Sequence, residues 1–228
     1  MPFRALIFDL DGTLLDSLAD VADSMNSVLQ ERGFPPHPRD AYRLFVGEGI
    51  RRLVEKTLPP QSRSPEAVES CIQALKIRYR DSWTDQTRPY AGIPELLDGL
   101  SQKGILLNIF SNKPDEFVAV MVETLLDSGR FTCLLGVRPG VPRKPDPQGA
   151  LSIARSCGLP PREFVFLGDT HVDMETAAAA GMFPVGALWG FRSREELKRS
   201  GARGLCRTPA ELLDYFPDPA GVSHLEVK

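Results

Sequence analysis

The apolar run Ala5-Leu6-Ile7-Phe8 passes directly into Asp9-Leu10-Asp11-Gly12-Thr13, so two carboxylates stand at the end of a segment that reads as a strand buried on both faces. Unpaired charge beside such a strand is costly, and a fold that contains it must bring a metal or cationic side chains to the same place. Three later segments bear on this. They are Phe110-Ser111-Asn112-Lys113, Arg143-Lys144-Pro145-Asp146-Pro147, and Phe166-Leu167-Gly168-Asp169-Thr170 with Asp173 four residues beyond Asp169.

Short apolar runs alternate with helical patterns over residues 90–190, which predicts an α/β fold with a doubly wound parallel sheet covered on both faces. Strands are expected at Arg4 to Asp9, Ile105 to Phe110, Cys133 to Val137, Phe164 to Gly168 and Pro184 to Leu188. Helices are expected at Pro94 to Lys103, Pro114 to Ser128, Pro147 to Cys157 and Asp173 to Ala180. Ser111 or Asn112 before Pro114 reads as a helix start, and Gly129 and Gly158 as helix stops.

Leu15 to Ser82 breaks the alternation. Helical spacing at Leu18, Val21, Met25, Val28 and Leu29, and again at Ile50, Leu53, Val54 and Leu58, predicts a helical insertion. This gives a discontinuous core domain, residues 1–15 and 83–228, and an inserted helical domain, residues 16–82. The tail from Pro217 is expected to be poorly ordered.

Composition narrows the partners. A net charge of -3 over 228 residues provides no basic field for a nucleic acid backbone. Cys71, Cys133, Cys157 and Cys206 are scattered, with neither zinc-ligand spacing nor a disulfide framework. No apolar run approaches the ~20 residues of a membrane span, so a soluble cytoplasmic protein is expected.

In an open parallel sheet, ligands bind beyond the carboxyl ends of the strands. Asp9, Ser111 and Asp169 each follow an expected strand directly, and Lys144 lies in the loop after the third, so all four are expected at one crevice. Asp9 suits a nucleophile that forms an aspartyl-phosphate, and Asp11 suits the acid that protonates the leaving alkoxide and then activates water. With Asp169 a third carboxylate, hard oxygen ligands beside phosphate favour Mg²⁺. Lys144, Ser111 Oγ and the backbone N–H groups after Asp9 would hold the phosphate, with Gly12 allowing close approach.

Each fragment alone has a plainer reading. Asp-Gly-Thr is a common turn, the Lys144 segment a solvated loop, Gly168-Asp169-Thr170 a helix cap, and Asp173 either a cap or a partner of metal waters and Lys144. Lys113 fits a phosphate contact or a helix start, and His171 fits a surface loop. Their joint order, each just past an expected strand, is what points to phosphate transfer.

The four-motif set, together with Pro89-Tyr90-Ala91-Gly92-Ile93 and Ala180-Gly181-Met182, resembles the haloacid dehalogenase superfamily of phosphatases and, within it, the phosphoglycolate phosphatase group. The resemblance spans residues 4–190. It implies a Rossmann-like core with an inserted α-helical cap, Asp9 as nucleophile, and Asp11 as acid and base. It also implies Mg²⁺ held by the Asp9 carboxylate, the Asp11 carbonyl and Asp169, and phosphate held by Ser111 and Lys144; Asp173 is a further candidate metal residue from its spacing. Ser111 stands where the family often has Thr. Gly12, Thr13 and Asn112 are further candidate substrate contacts.

The cap loop Phe45 to Ile50, with Gly47, falls where a substrate-reading segment belongs, and Arg51 or Arg43 would meet a substrate carboxylate such as that of phosphoglycolate. Glu48 would repel one if it pointed inward, or would pair with Arg51 or Arg52 at helical spacing. The expected partner is a small phosphorylated metabolite, with no nucleic acid and no membrane, for a monomer or homodimer. A phosphomutase of the same superfamily, β-phosphoglucomutase-like, and a noncatalytic binding protein on this fold are the alternatives.

Overall fold

The computed structural model describes residues 2–217. The order along the chain is β1 (Ala5–Phe8), β2 (Leu15–Asp16), α1 (Leu18–Glu31), α2 (Tyr42–Phe45), α3 (Ile50–Thr57), α4 (Pro65–Ser82), β3 (Arg88–Pro89) and α5 (Ile93–Gln102). It continues with β4 (Leu106–Pro114), α6 (Asp115–Leu126), β5 (Phe131–Val137), α7 (Gln148–Ser156), β6 (Phe164–Gly168), α8 (His171–Ala179), β7 (Phe183–Ala187), α9 (Arg194–Arg199) and β8 (Gly204–Cys206).

Six strands form one parallel sheet in the order β5-β4-β1-β6-β7-β8. The apolar run of β1 divides by alternation: Leu6 and Phe8 join the larger core with α5 and α6, whereas Ala5 and Ile7 join a second core with α7 and α8. Both faces are therefore covered, which is why every residue of β1 is fully buried. The chain builds outward from β1 first on one side and then on the other. The reversal leaves a crevice at the carboxyl ends of β1, β4 and β6.

Helices α1 to α4 make up the insertion, α4 packing on both α1 and α3. Leu18, Val21, Met25, Val28 and Leu29 are all buried, as are Leu53, Val54 and Leu58, while Ile50 is half-buried. The chain leaves and re-enters the core through an antiparallel ribbon in which Leu15 pairs with Pro89 and Asp16 with Arg88. Buried Asp20 pins the return crossing, its Oδ2 accepting from the Thr87 N–H at 2.8 Å and the Thr87 hydroxyl at 2.7 Å.

Several boundaries differ from expectation. The second expected strand does not end at Phe110: β4 runs on to Pro114, and α6 starts at Asp115 rather than at Ser111 or Asn112. The residue before a proline is driven to extended backbone, so Lys113 prolongs the strand, at the cost of a register shift against β5 between Phe110 and Pro114. Helix α6 stops at Leu126, where Asp127 takes the positive φ expected nearer Gly129; Gly158 does follow α7 with φ +65°. Strands β2, β3 and β8 have two or three residues each, too few for a period to register.

Among the described residues no helix is long and apolar enough to cross a membrane. Beyond Pro217 itself, the tail expected to be poorly ordered lies outside the described residues.

Candidate active site

Asp9 leaves the end of β1 with its N–H donated to Leu167 O of β6 at 2.9 Å, which aims its carboxylate out of the sheet's carboxyl edge. The Lys144 ammonium lies 2.8 Å from Asp9 Oδ1 and 2.6 Å from Asp173 Oδ1. Carboxylate oxygens of Asp9, Asp169 and Asp173 lie within 4.8 Å of one another, all three residues buried.

Each acid is held by a separate device. Asp169 Oδ1 accepts from the Thr13 hydroxyl at 3.0 Å, and its Oδ2 accepts from the Phe191 N–H at 2.8 Å. Asp173 Oδ2 accepts from the Thr170 N–H at 3.0 Å and its hydroxyl at 2.7 Å, while Oδ1 receives Lys144. Asp173 is thus both a cap of α8 and an orienting partner of Lys144, the two readings its spacing allowed.

Burial pushes the Asp9 carboxyl up to about 7; Lys144 opposes that rise, and Asp173 adds to it. Asp169 is raised well above the carboxylate range by burial, then by Asp9 and Asp173. Burial works against the Lys144 charge, but Asp173 and Asp9 outweigh it and raise the ammonium's pKa. One lysine faces three carboxylates. A divalent cation would restore the balance, and an all-carboxylate donor set is the kind that Mg²⁺ accepts, so the residues present fit a metal here.

A cleft beside this cluster, between the sheet edge and the helical insertion, is lined by Asp9, Asp11, Ser111, Asn112 and Lys113 from the core, and by Gly47, Ile50, Leu53 and Tyr79 among others from the insertion. The Asp11 carboxylate has partners of its own. It accepts from the Ser17 hydroxyl at 2.5 Å and from Lys113 Nζ at 3.0 and 3.1 Å. Lys113 in turn donates to the Tyr79 hydroxyl at 3.0 Å, its ammonium 4.5 Å from the Tyr79 ring centroid.

The Asn112 amide donates to Gly47 O and to Lys144 O, each at 3.1 Å, and accepts from Lys144 N–H at 2.9 Å. The loop around Gly47 is held by two further core side chains. Arg192 donates to Val46 O at 3.0 Å and Arg143 to Glu48 O at 3.4 Å.

The structure brings Asp9, Asp11, Ser111, Asn112, Lys144, Asp169, Asp173 and Gly47 to the cluster and the cleft beside it, but not every candidate. Arg51 is exposed and paired with Glu69 at 2.7 Å, because packing of α3 on α4 turns it outward. Arg43 donates to Gly190 O at 3.0 Å, and Glu48 pairs with Lys56 at 2.5 Å and Arg52 at 4.0 Å. The N–H groups of Gly12 and Thr13 close a tight turn onto Leu15 O and Leu10 O, so they do not present themselves to a phosphate. Thr13 serves Asp169 instead. Lys113 lies within β4 rather than at a helix start, and its partner is Asp11. His171 opens α8 with Nδ1 3.4 Å from Glu196.

Sequence reasoning missed the segment Trp189-Gly190-Phe191. Phe191 supplies the backbone donor to Asp169, Trp189 Nε1 donates to Thr13 O at 2.9 Å, and a Cβ at Gly190 would collide with Asp169. It follows the expected strand Pro184 to Leu188 at once, so the rule that found Asp9 and Asp169 also covers it.

A model of the haloacid dehalogenase-like hydrolases matches residues 6–187. The chain belongs to that family. This hydrolase is similar to a phosphoglycolate phosphatase of Aquifex aeolicus, 33% identical over 188 residues, which cover 82% of this chain and 86% of that one. It is 31% identical to an N-acetylmuramic acid 6-phosphate phosphatase of Pseudomonas aeruginosa, covering 95% and 96%. The crystal structure of a putative phosphoglycolate phosphatase from Lactobacillus delbrueckii superimposes with a TM-score of 0.88 at 30% identity, over 95% of this chain and 99% of that one.

Proposed function

We propose that this phosphatase hydrolyses a small phosphomonoester, with Mg²⁺ and through an aspartyl-phosphate on Asp9. The observation that carries the reading is the Asp9 carboxylate itself: a buried acid at the end of the central strand, 2.8 Å from Lys144 and opening on a cleft it shares with Asp11 and Ser111.

An Asp9 oxygen attacks phosphorus, the bond from phosphorus to the ester oxygen breaks, and Asp11 gives that oxygen its proton. Water then attacks the aspartyl-phosphate, Asp11 takes the water's proton, and inorganic phosphate leaves as Asp9 is regenerated. Lys144 and the Ser111 hydroxyl offset and orient the phosphoryl oxygens. Asp9, Asp169 and Asp173, with the Asp11 carbonyl, would hold Mg²⁺, which when bound supplies charge neutralisation for the phosphoryl group. The helical insertion acts as a cap over the cleft and excludes water from the first step.

The cleft lies between the sheet edge and the helical insertion, and a small phosphorylated metabolite is the substrate class that the relatives' names support. Phosphoglycolate is the leading substrate, supported by the relatives' names. The relative named for N-acetylmuramic acid 6-phosphate, at similar identity, keeps a second acid phosphate in view. A cytoplasmic setting, as a monomer or homodimer with no nucleic acid partner, completes the reading; four free thiols suit a reducing compartment.

The test is phosphate release from phosphoglycolate, sugar phosphates, nucleotides and pyrophosphate, with and without Mg²⁺. One phosphomonoester standing well above the rest, and only with the metal, supports the proposal. No release from any of them, with transfer between sugar phosphates instead, would favour a mutase.

A further inference from the structure

Beyond the carboxylates the cleft is walled by Val46, Ile50, Leu53, Leu75 and Phe117, an apolar surface with few groups able to receive a charged leaving group. Two cations line it. Lys76 is bound to Glu116 at 3.0 Å and is partly exposed, whereas the Lys113 side chain is only 6% exposed. The arginines that the sequence offered for a substrate carboxylate face elsewhere, Arg51 toward Glu69 and Arg43 toward Gly190.

Lys113 is placed for a second anion. It stands two residues after Ser111 at the irregular end of β4, where both line the cleft and Ser111 Oγ accepts from the Lys113 N–H at 3.3 Å. A phosphoryl group at Ser111 thus has an ammonium one short linker away. Tyr79 steadies that ammonium from the insertion, and Asp11 keeps the Ser17 hydroxyl as a second partner when Lys113 leaves it.

Resting on the phosphatase reading above, we infer that Lys113 determines specificity by binding a carboxylate on the leaving group, so that the favoured substrates are phosphate esters of short hydroxy acids. The ammonium of Lys113 then passes from Asp11 to the substrate carboxylate, which leaves Asp11 on the Ser17 hydroxyl and free to hold the proton it gives to the leaving oxygen. A neutral leaving group leaves the ammonium on Asp11.

The probes are phosphoglycolate and 2-hydroxyethyl phosphate, which differ in the carboxylate, with p-nitrophenyl phosphate reporting phosphatase activity as such. The wild type should favour phosphoglycolate in kcat/KM by about ten- to a hundredfold, the worth of one charge-assisted hydrogen bond. Lys113→Met should bring that ratio towards unity, chiefly through the KM for phosphoglycolate, and Lys113→Arg should retain a preference. Should Lys113→Met turn over too slowly, calorimetric affinities of the two esters for Asp9→Asn and for Asp9→Asn/Lys113→Met give the same ratio. A wild type without preference, or a Lys113→Met enzyme with the wild-type ratio, overturns the inference and leaves the phosphatase reading intact. A wild type releasing phosphate from none of the three esters overturns both.

Discussion

Asp9 and Lys144 form an ion pair of 2.8 Å in which both side chains are almost wholly buried, their exposures being 6% and 1%. Such a pair is held in place by what removing one partner costs. Lys144→Met strands two buried carboxylates, Asp9 and Asp173, and is expected to cost about 3–5 kcal/mol of stability together with nearly all turnover. Urea melts read the first and phosphate release the second. A variant as stable and as active as the wild type would contradict the pairing.

Proton linkage at the same cluster gives a pH signature. Asp9 is raised from its ordinary value to about 7, so between about pH 4 and pH 7 the folded chain binds more protons than the unfolded one. The metal-free protein therefore loses stability as pH rises through that window. Mg²⁺ favours the ionised acids and should stabilise more at pH 8 than at pH 5. At a concentration of about 100 Kd the gain is about 2.7 kcal/mol, or roughly 5–10 °C in Tm for a chain of this size. Thermal melts with and without Mg²⁺ at the two pH values check this; an equal or larger shift at pH 5 would refute it.

Gly12 has φ +85°, and a Cβ there would run into the Asp169 carboxylate. Gly12→Ala should displace Asp169, destabilise by about 1–3 kcal/mol and weaken Mg²⁺ binding. Isothermal titration with Mg²⁺ reads that effect directly, with wild-type affinity as the contrary outcome.

Asn112 joins the cap loop at Gly47 to the backbone on both sides of Lys144. Asn112→Ala removes all three bonds, so kcat should fall by about ten- to a hundredfold, with faster hydrogen exchange over residues 46–49. Unchanged exchange there would show that other contacts hold the loop.

What the sequence made legible follows from how each residue works. Asp9, Ser111, Lys144 and Asp169 act through side chains placed just after apolar runs, and both halves of that signature can be read from letters. Phe191 acts through its backbone N–H, which any residue but proline supplies, so its letter carries no mark. Tyr79 and Lys113 meet across the seam between insertion and sheet, and nothing in local spacing brings residues 34 apart together. Arg51 shows the converse. Its charge was visible, but its direction is set by the packing of α3 on α4, which hands it to Glu69. Helical and sheet periods located the long elements, whereas the Leu15–Asp16 and Arg88–Pro89 ribbon is held by Asp20 and two strand pairs that leave no period.

The most direct measurement is the initial rate of phosphate release by the wild type and by Asp9→Asn, with Mg²⁺ and the best substrate of the panel. The amide keeps the shape of the side chain and removes its nucleophilic oxygen, so the rate should fall by at least about a thousandfold. Phosphate release by Asp9→Asn at a rate near that of the wild type would mean that Asp9 does not carry the phosphoryl group.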